Sequence, residues 1–124
     1  MTPEARSQHP DLAGGRWFLF PLTDQLANTG SEVERALNWA SKGRIGYSAS
    51  AVDRALELLD LTIADPKNRL RLRELTRVRE ALVDYFFGSN EYGSSPDSWH
   101  RYFHAYGMAS ALRRQEASAR PVEF

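Results

Sequence analysis

The sequence contains no cysteine, carries no net charge and has no long apolar run. The lack of cysteine excludes disulfide bonds, thiolate metal ligands and cysteine nucleophiles. Because sixteen basic and sixteen acidic residues cancel, only a local patch would attract nucleic acid or anionic lipid. The strongest apolar run, residues 17–22, is far short of the ~20 residues that span a bilayer, and the N-terminus has no apolar signal core. We therefore expect a cytoplasmic protein that makes no use of a membrane.

The length and composition are those of one ordinary globular domain. The chain has 124 residues, of which 42% are hydrophobic and 26% are charged, which is typical of a single soluble core. Residues 1–15 carry two prolines and two consecutive glycines without a helical period, and predict a mobile N-terminal arm. We expect a single domain over residues 16–116 and a short C-terminal tail over residues 117–124.

The first half of this domain predicts two amphipathic helices, because apolar residues recur three and four positions apart. The first helix is expected from Trp17 to about Lys42. Ser31 and Glu34 have the spacing of a capping box that would open a new helix after Gly30. The apolar stripe keeps its phase across this stretch, so one long helix is favoured, in which Gly30 allows a close helix crossing. The second helix is expected to be capped by Ser48 or Ser50.

The second half predicts two further helices. Asp65 followed by Pro66 indicates a capped helix start, and Gly88 is placed to end that third helix in the left-handed conformation. A serine followed by Pro96 opens the fourth helix, which is expected to fray near Gln115. Four helices with short loops and no strand pattern predict an all-α, antiparallel four-helix bundle.

Two histidines on the fourth helix form the first candidate site. Asp97, His100 and His104 are spaced i, i+3 and i+7, so they share one helical face. Histidines four apart on a helix bind zinc or iron in several metalloproteins. The alternative is that both lie on a half-exposed flank, hydrogen-bonded to neighbours or water. The chain otherwise indicates no cofactor, and a metal ion at these residues is the one alternative.

The same helix carries a cluster of aromatic residues. Trp99 and Phe103 are in phase with its apolar stripe, so burial in the core is favoured over base stacking. Tyr102 and Tyr106 lie off the stripe and are expected to rim a groove. Together with Trp39, they predict an interface, because an aromatic patch too large for the surface of a monomer marks an interaction site.

The third helix carries a ridge of arginines four residues apart, at Arg69, Arg73 and Arg77. Guanidinium groups in such a row suit phosphates. The second helix has an acidic ridge at Asp53, Glu57 and Asp60. If the two ridges face each other, the arginines are paired within the chain at little gain in stability. Such pairing, or simply a solvated face, is favoured, and a nucleic-acid contact is the alternative.

No nucleophile and base stand together in a known catalytic spacing. The serines are concentrated in caps and tails, and there is neither a glycine-rich phosphate loop nor a Gly-x-Ser-x-Gly turn. Glu80 and Asp84 lie one turn apart, and we expect them to be solvated.

The order of the first two helices resembles the opening half of HEPN-type domains, which are small bacterial and archaeal helical bundles. The resemblance covers roughly residues 22–63: a helix with alanines and a tryptophan, a glycine turn, an aromatic residue, and a helix with Ala and Leu at packing positions. It implies a cytoplasmic dimeric bundle, often encoded beside a small nucleotidyltransferase, and in some members a ribonuclease. The family's ribonuclease signature separates an arginine from a histidine by four to six residues, whereas only two residues lie between Arg101 and His104. No catalytic residue is carried over.

These observations favour a non-enzymatic protein-interaction module that forms a homodimer and partners a nucleotidyltransferase or a toxin–antitoxin system. The first alternative is an RNA-binding or RNA-cleaving bundle. Its candidate residues are Arg69, Arg73, Arg77, Arg101 and His104. The second alternative is a metal-binding bundle.

Overall fold

The computed structural model describes residues 15–119 and is all-helical over that range. Its α-helices are α1 (Leu22–Ser41), α2 (Ile45–Ala64), α3 (Leu72–Phe87) and α4 (Pro96–Ala119). Two 3₁₀ helices, Arg16–Leu19 and Pro66–Arg71, precede α1 and α3. Residues 1–14 and 120–124, which make up most of the predicted arm and tail, lie outside the described residues. None of the helices in the described range is long and apolar enough to cross a bilayer.

The helices form an antiparallel bundle, which confirms the predicted fold class. α1 packs closely against α2 and α4, and α2 packs against α3, whereas the backbones of α3 and α4 remain further apart. The hydroxyl group of Ser48 donates to the carbonyl oxygen of Ala36 at 2.8 Å, which fastens α2 to α1 near their connecting turn. The wider spacing between α3 and α4 leaves an opening along one side of the bundle.

The core lies between the helices and follows the apolar stripes. Its fully buried members include one or two leucines from each of the first three α-helices: Leu26, Leu59, Leu75 and Leu82. α4 contributes Trp99 and Phe103, which are 5% and 4% exposed, as their positions on the stripe predict. Burying a large apolar side chain stabilises a fold by about 1.5–3 kcal/mol, so this cluster is the main source of cohesion.

A buried polar network closes one end of the bundle. Trp17 Nε1 donates to Thr62 Oγ1 at 3.0 Å. Gln25 Nε2 donates to the Trp17 carbonyl at 3.1 Å and to Asp65 Oδ2 at 2.9 Å. Asn68 Nδ2 then donates to Gln25 Oε1 at 2.8 Å. These bonds join both 3₁₀ helices to α1 and α2, and they satisfy polar groups that would be costly to bury alone.

The first helix starts later than the sequence pattern predicts. α1 begins at Leu22, and Trp17 lies in the preceding 3₁₀ helix. Pro21 forces the residue before it out of helical geometry, and Phe20 is extended with ψ of 140°. The apolar period across this stretch reflects burial of Trp17 against the bundle and not one continuous helix.

The start of α2 also differs from the prediction. α2 begins at Ile45, so neither Ser48 nor Ser50 is its cap. The backbone N–H of Ser48 already donates to the Arg44 carbonyl at 3.0 Å, and its hydroxyl group bonds across to α1. The serine that resembles a cap in sequence is therefore a contact between helices.

The predicted cap and end of the third helix are confirmed, whereas its predicted start and the conformation at its end are wrong. Asp65 caps as expected, accepting from the Lys67 N–H at 3.1 Å, but Pro66 opens a 3₁₀ helix and α3 starts only at Leu72. The helix ends at Gly88 as predicted, but Gly88 has φ of −111° and is not left-handed. Asn90, with φ of 57°, takes that conformation within the loop.

Gly30 lies inside an unbroken α1, and the predicted close helix crossing is confirmed. A Cβ atom built on Gly30 would lie 2.7 Å from the Cβ of Phe103, which is closer than two carbon atoms that are not bonded to each other can approach. The absence of a side chain at Gly30 therefore lets α4 lie directly on α1.

α4 continues to Ala119, beyond the predicted fraying near Gln115. Asp24 of α1, 7% exposed, accepts from the Ser110 hydroxyl group at 2.6 Å and from the Arg113 guanidinium. These contacts anchor the C-terminal half of α4, in which few apolar side chains are buried.

Candidate functional site

A groove lies between α3 and α4, and we call it the α3–α4 groove. Its volume is about 640 Å³. α3 contributes an apolar wall, formed by Val78 and Ala81. It also contributes a charged side, formed by Arg73 and Arg77. Leu70, in the preceding 3₁₀ helix, lies at one end of the groove. The opposite wall comes from α4 and the loop before it, through Trp99, Tyr102 and Tyr92. The groove combines apolar surface, aromatic rings and cations.

Arg73 and Arg77 form no ion pair with any residue between positions 15 and 119. Within this range the two ridges do not pair, and Arg73 and Arg77 are exposed, as the solvated-face interpretation of the ridge predicts. Asp60 pairs instead with Arg79, at 2.6 Å. Arg79 follows Arg77 by two residues, so it lies on the opposite side of α3 and faces α2.

Arg69 does not extend the ridge into the groove. It lies in the 3₁₀ helix, outside the α-helix that carries Arg73 and Arg77. A 3₁₀ helix has three residues per turn, so a spacing of four does not keep a side chain on one face. Arg69 is exposed and does not line the α3–α4 groove.

A hydrogen-bonded cluster around Glu74 spans the gap between α3 and α4. Tyr102 and Tyr106 donate from their hydroxyl groups to Glu74 Oε2 at 2.7 and 2.8 Å. Arg71 Nη2 donates to Glu74 Oε1 and to the Tyr106 hydroxyl group, both at 2.7 Å. The cluster fixes one end of the groove, and Arg71 balances the charge of Glu74.

The environment of the cluster sets its protonation states. Burial raises the pKa of Glu74, but hydrogen bonds from Tyr102, Arg71 and Tyr106 outweigh it, so the pKa lies below its ordinary value of 4.5. Burial, and then the hydrogen bond to Glu74, raise the pKa of Tyr102 far above the usual range. The same two causes raise the pKa of Tyr106. At neutral pH the carboxylate is ionised and both phenols are donors.

We expect Glu74→Gln to lower the free energy of unfolding at pH 7 by about 1 kcal/mol. This is less than the roughly 1.5–3 kcal/mol typical of hydrogen bonds to a charged group, because the Glu74 side chain is 35% exposed and solvent screens its charge. A lowered pKa in the folded state stabilises the protein above the ordinary value and loses that effect as the pH falls. The difference between wild type and variant should therefore shrink below about pH 4.5. Urea denaturation at pH 7 and pH 3.5 measures it.

The exposed Glu116 provides the control for that experiment. Glu116→Gln removes the same charge and should change the free energy of unfolding by only a few tenths of a kcal/mol. A Glu74→Gln deficit that stays constant between the two pH values would contradict the role of the ionised carboxylate.

The loop before α4 is held in place by Asp84, contrary to the expectation that this residue is solvated. Its carboxylate accepts from the backbone N–H groups of Glu91 at 2.9 Å and Tyr92 at 3.0 Å. The hydroxyl group of Tyr92 donates to Glu80 Oε2 at 2.9 Å. Both carboxylates of the predicted solvated pair therefore hold Tyr92 at the end of the groove.

Within the described residues, the indole nitrogen of Trp99 is buried without a hydrogen-bond partner. Leaving such a donor unsatisfied costs about 1–3 kcal/mol. Other atoms of Trp99 line the α3–α4 groove, whereas the indole nitrogen itself is buried.

A second cleft, of about 520 Å³, lies between α1 and α4. His100 Nδ1 contacts a carboxylate oxygen of Glu34 across it, while Arg101 and His104 are exposed at its edge. The structure therefore splits the five residues predicted to bind RNA. Two lie in the α3–α4 groove, two lie in this cleft, and Arg69 lines neither.

The metal prediction is not matched by the geometry. Between residues 15 and 119, no three His, Asp or Glu side chains come together as a group that would hold a metal ion. His100 is engaged by Glu34, and Asp97 is exposed in the first turn of α4, where a negative charge interacts favourably with the helix dipole. The structure does not bring Asp97, His100 and His104 together as ligands.

The three residues predicted as an interface also lie apart. Tyr102 and Tyr106 are half-buried and bonded to Glu74, and Tyr102 forms part of the groove wall, as its position off the stripe predicts. Trp39 lies near the α1–α2 turn, where its ring packs on Tyr47 at 4.8 Å between centroids. They do not form a single aromatic patch.

Arg71 and Glu74, which form the hydrogen-bonded cluster at the groove, were not predicted from the sequence as site residues. A weak signal was present, because an arginine and a glutamate three apart on a helix are able to pair. Nothing local indicated that two tyrosines from another helix would bond to the same carboxylate. No protein-family model, curated protein or solved structure matches the chain.

Proposed function

We propose that the protein is a non-enzymatic interaction module that binds a partner protein through the α3–α4 groove. The observation that carries this proposal is the open groove itself. It combines an apolar wall from Val78 and Ala81 with two guanidinium groups, Arg73 and Arg77, that have no ion-pair partner in the described range. An apolar groove with a few placed charges is the usual form of a protein-recognition site.

The groove is also prepared for binding before a partner arrives. The Glu74 cluster fixes one end, and Asp84 and Glu80 fix Tyr92 at the other. Binding to a surface already held in place loses less conformational entropy than binding to a mobile one. The predicted partners, a nucleotidyltransferase or a toxin–antitoxin component, remain part of this proposal.

A pull-down from the native host tests the proposal with two tagged double variants. Arg73→Glu/Arg77→Glu changes the groove, and Arg69→Glu/Arg101→Glu changes the net charge equally at exposed residues outside it. We expect a protein that survives nuclease treatment to be captured by wild type and control and lost from the groove variant. Equal capture by all three would contradict the groove as the binding site. Capture of RNA that is lost in high salt would favour the RNA-binding alternative.

The homodimer also stays a prediction. Of the three residues predicted as its interface, Tyr102 and Tyr106 are bonded to Glu74, and Trp39 is the one that lies apart from that cluster. Beside Trp39, Tyr47 is 59% exposed and Ile45 is 70% exposed, so this end of the bundle offers apolar surface to another chain. Light scattering at tens of micromolar should give twice the mass of the chain. A monomer at that concentration would contradict the dimer.

A further inference from the structure

We infer that the occupant of the α3–α4 groove is an amphipathic α-helix of a partner protein, with acidic side chains one turn apart. This inference rests on the proposed function and names the chemistry of the partner. Four features of the groove carry it: its shape, the spacing of its two free cations, the burial of its aromatic rings and its apolar wall.

The shape suits a helix. α3 and α4 run antiparallel on either side of the groove, and their backbones are further apart than those of the other neighbouring helices. The stretch of α3 from Arg73 to Ala81 lines the groove and is about 12 Å long at 1.5 Å per residue. A partner helix lying along it would make contact over about two turns and pack against both flanking helices.

The charges set the register of the partner. Arg73 and Arg77 are four residues apart on α3, so their Cβ atoms lie about 5–6 Å apart on one face. Carboxylates at positions i and i+4 of a second helix have the same spacing. Each guanidinium then donates two parallel hydrogen bonds to one carboxylate. Arg71 already neutralises Glu74, so Arg73 and Arg77 provide the net charge of the groove.

The burial of the aromatic rings disfavours RNA as the occupant. Single-strand binders stack bases on exposed ring faces. Trp99 is only 5% exposed, and Tyr102 packs edge-on against Phe103 and is bonded to Glu74. Only Tyr92, 53% exposed, offers a free ring among the aromatic residues of the groove. Arg73 and Arg77 are the two groove cations without an ion pair among residues 15–119, and two cations are few for a ligand whose affinity depends on phosphate contacts.

The apolar wall supplies the surface for the other face of the partner. Most of the accessible apolar surface comes from Leu70 at the end of the groove, which is 91% exposed, whereas Val78 and Ala81 line the groove but are only 8% and 9% exposed. Apolar side chains spaced i, i+3 or i+4, and i+7 on a partner helix would cover this surface in the usual helix-in-groove manner. Exposed leucine at a groove end is then explained by contact with the partner.

Fluorescence anisotropy with labelled synthetic peptides tests the inference on the full chain. The acidic probe is a helical peptide of about 15 residues, or four turns, with leucines at i, i+3 and i+7 and two glutamates four apart beside them. The basic probe replaces both glutamates by lysine. A third probe is labelled oligouridine RNA. All three are measured against wild type, Arg73→Glu/Arg77→Glu and Arg69→Glu/Arg101→Glu.

We expect wild type and the Arg69→Glu/Arg101→Glu control to bind the acidic probe at least about tenfold more tightly than the basic probe. Arg73→Glu/Arg77→Glu should reverse that preference, because the groove then carries the opposite charge. Since both arginines are exposed, the variant should keep the circular dichroism and urea midpoint of wild type. A reversed preference in a folded variant shows a direct charge contact.

Three outcomes would overturn the inference. Acidic and basic probes binding wild type equally would exclude the predicted charge register, and tighter binding of oligouridine would indicate a nucleic-acid groove. Self-association that disappears in Arg73→Glu/Arg77→Glu would make a second copy of the chain the occupant. If the pull-down still shows a protein partner lost from the groove variant, the proposed function stands and only the acidic helix is wrong.

Discussion

Trp17→Ala should lower the free energy of unfolding by about 3–5 kcal/mol, the range for removing a large buried aromatic side chain. Trp17 is 1% exposed and lies in a 3₁₀ helix of four residues. Its indole N–H bonds to Thr62, 45 positions away, at 3.0 Å. The side-chain amide of Gln25 donates a hydrogen bond to the Trp17 carbonyl and so holds the same segment. Loss of the side chain therefore leaves a cavity and breaks the attachment of the N-terminal segment to α2.

Urea denaturation followed by circular dichroism measures this effect, with two control variants. Trp17→Phe keeps an apolar ring but loses the donor to Thr62, and should cost about 1–3 kcal/mol. Trp39→Ala removes a half-exposed tryptophan from the other end of α1 and should cost about 1 kcal/mol or less. Equal losses for Trp17→Ala and Trp39→Ala would show that the N-terminal segment contributes nothing specific to the fold.

Gly30→Ala should also destabilise the protein, although alanine favours helices more than glycine does. Alanine gains about 1 kcal/mol in helix propensity. Its Cβ, however, would lie 2.7 Å from the Cβ of Phe103, an atom that no rotamer change is able to move. Because α1 and α4 must separate, overpacking of this kind costs about 1–3 kcal/mol, and the expected net loss reaches about 2 kcal/mol.

Gly107→Ala is the matched control, since Gly107 also lies within a helix but nothing stands within 4 Å of its added Cβ. We expect it to raise the free energy of unfolding by up to about 1 kcal/mol. Opposite signs for the two glycines would establish that Gly30 is required for close packing. A stabilised Gly30→Ala variant would contradict the crossing.

The crossing at Gly30 bears on the groove as well as on stability. Because Phe103 packs directly over Gly30, α4 lies close to α1. The gap between α4 and α3 is bridged by side chains: the hydroxyl groups of Tyr102 and Tyr106 on α4 donate to Glu74 on α3. A variant that pushes α4 away from α1 should therefore alter the α3–α4 groove, even though Gly30 does not line it.

The sequence alone determined the number of helices, their order and most of the core. These depend on local properties: an apolar period of three and four residues, and cap and proline signals at Asp65 and Pro96. Trp99 and Phe103 were correctly placed in the core for the same reason. The helix starts at Leu22, Ile45 and Leu72 were missed, because 3₁₀ turns and buried polar contacts continue the apolar pattern beyond the α-helices.

Only the tertiary structure decided which charged and aromatic residues meet. The arginine and acidic ridges are equally regular in sequence, yet Asp60 pairs with Arg79 and leaves Arg73 and Arg77 at the groove. The rotation and separation of the helices determine such pairings, and these are set by contacts between residues distant in sequence, such as Phe103 on Gly30. A helical period gives the face on which a side chain lies, and the packing of the whole bundle gives the partner that this face meets.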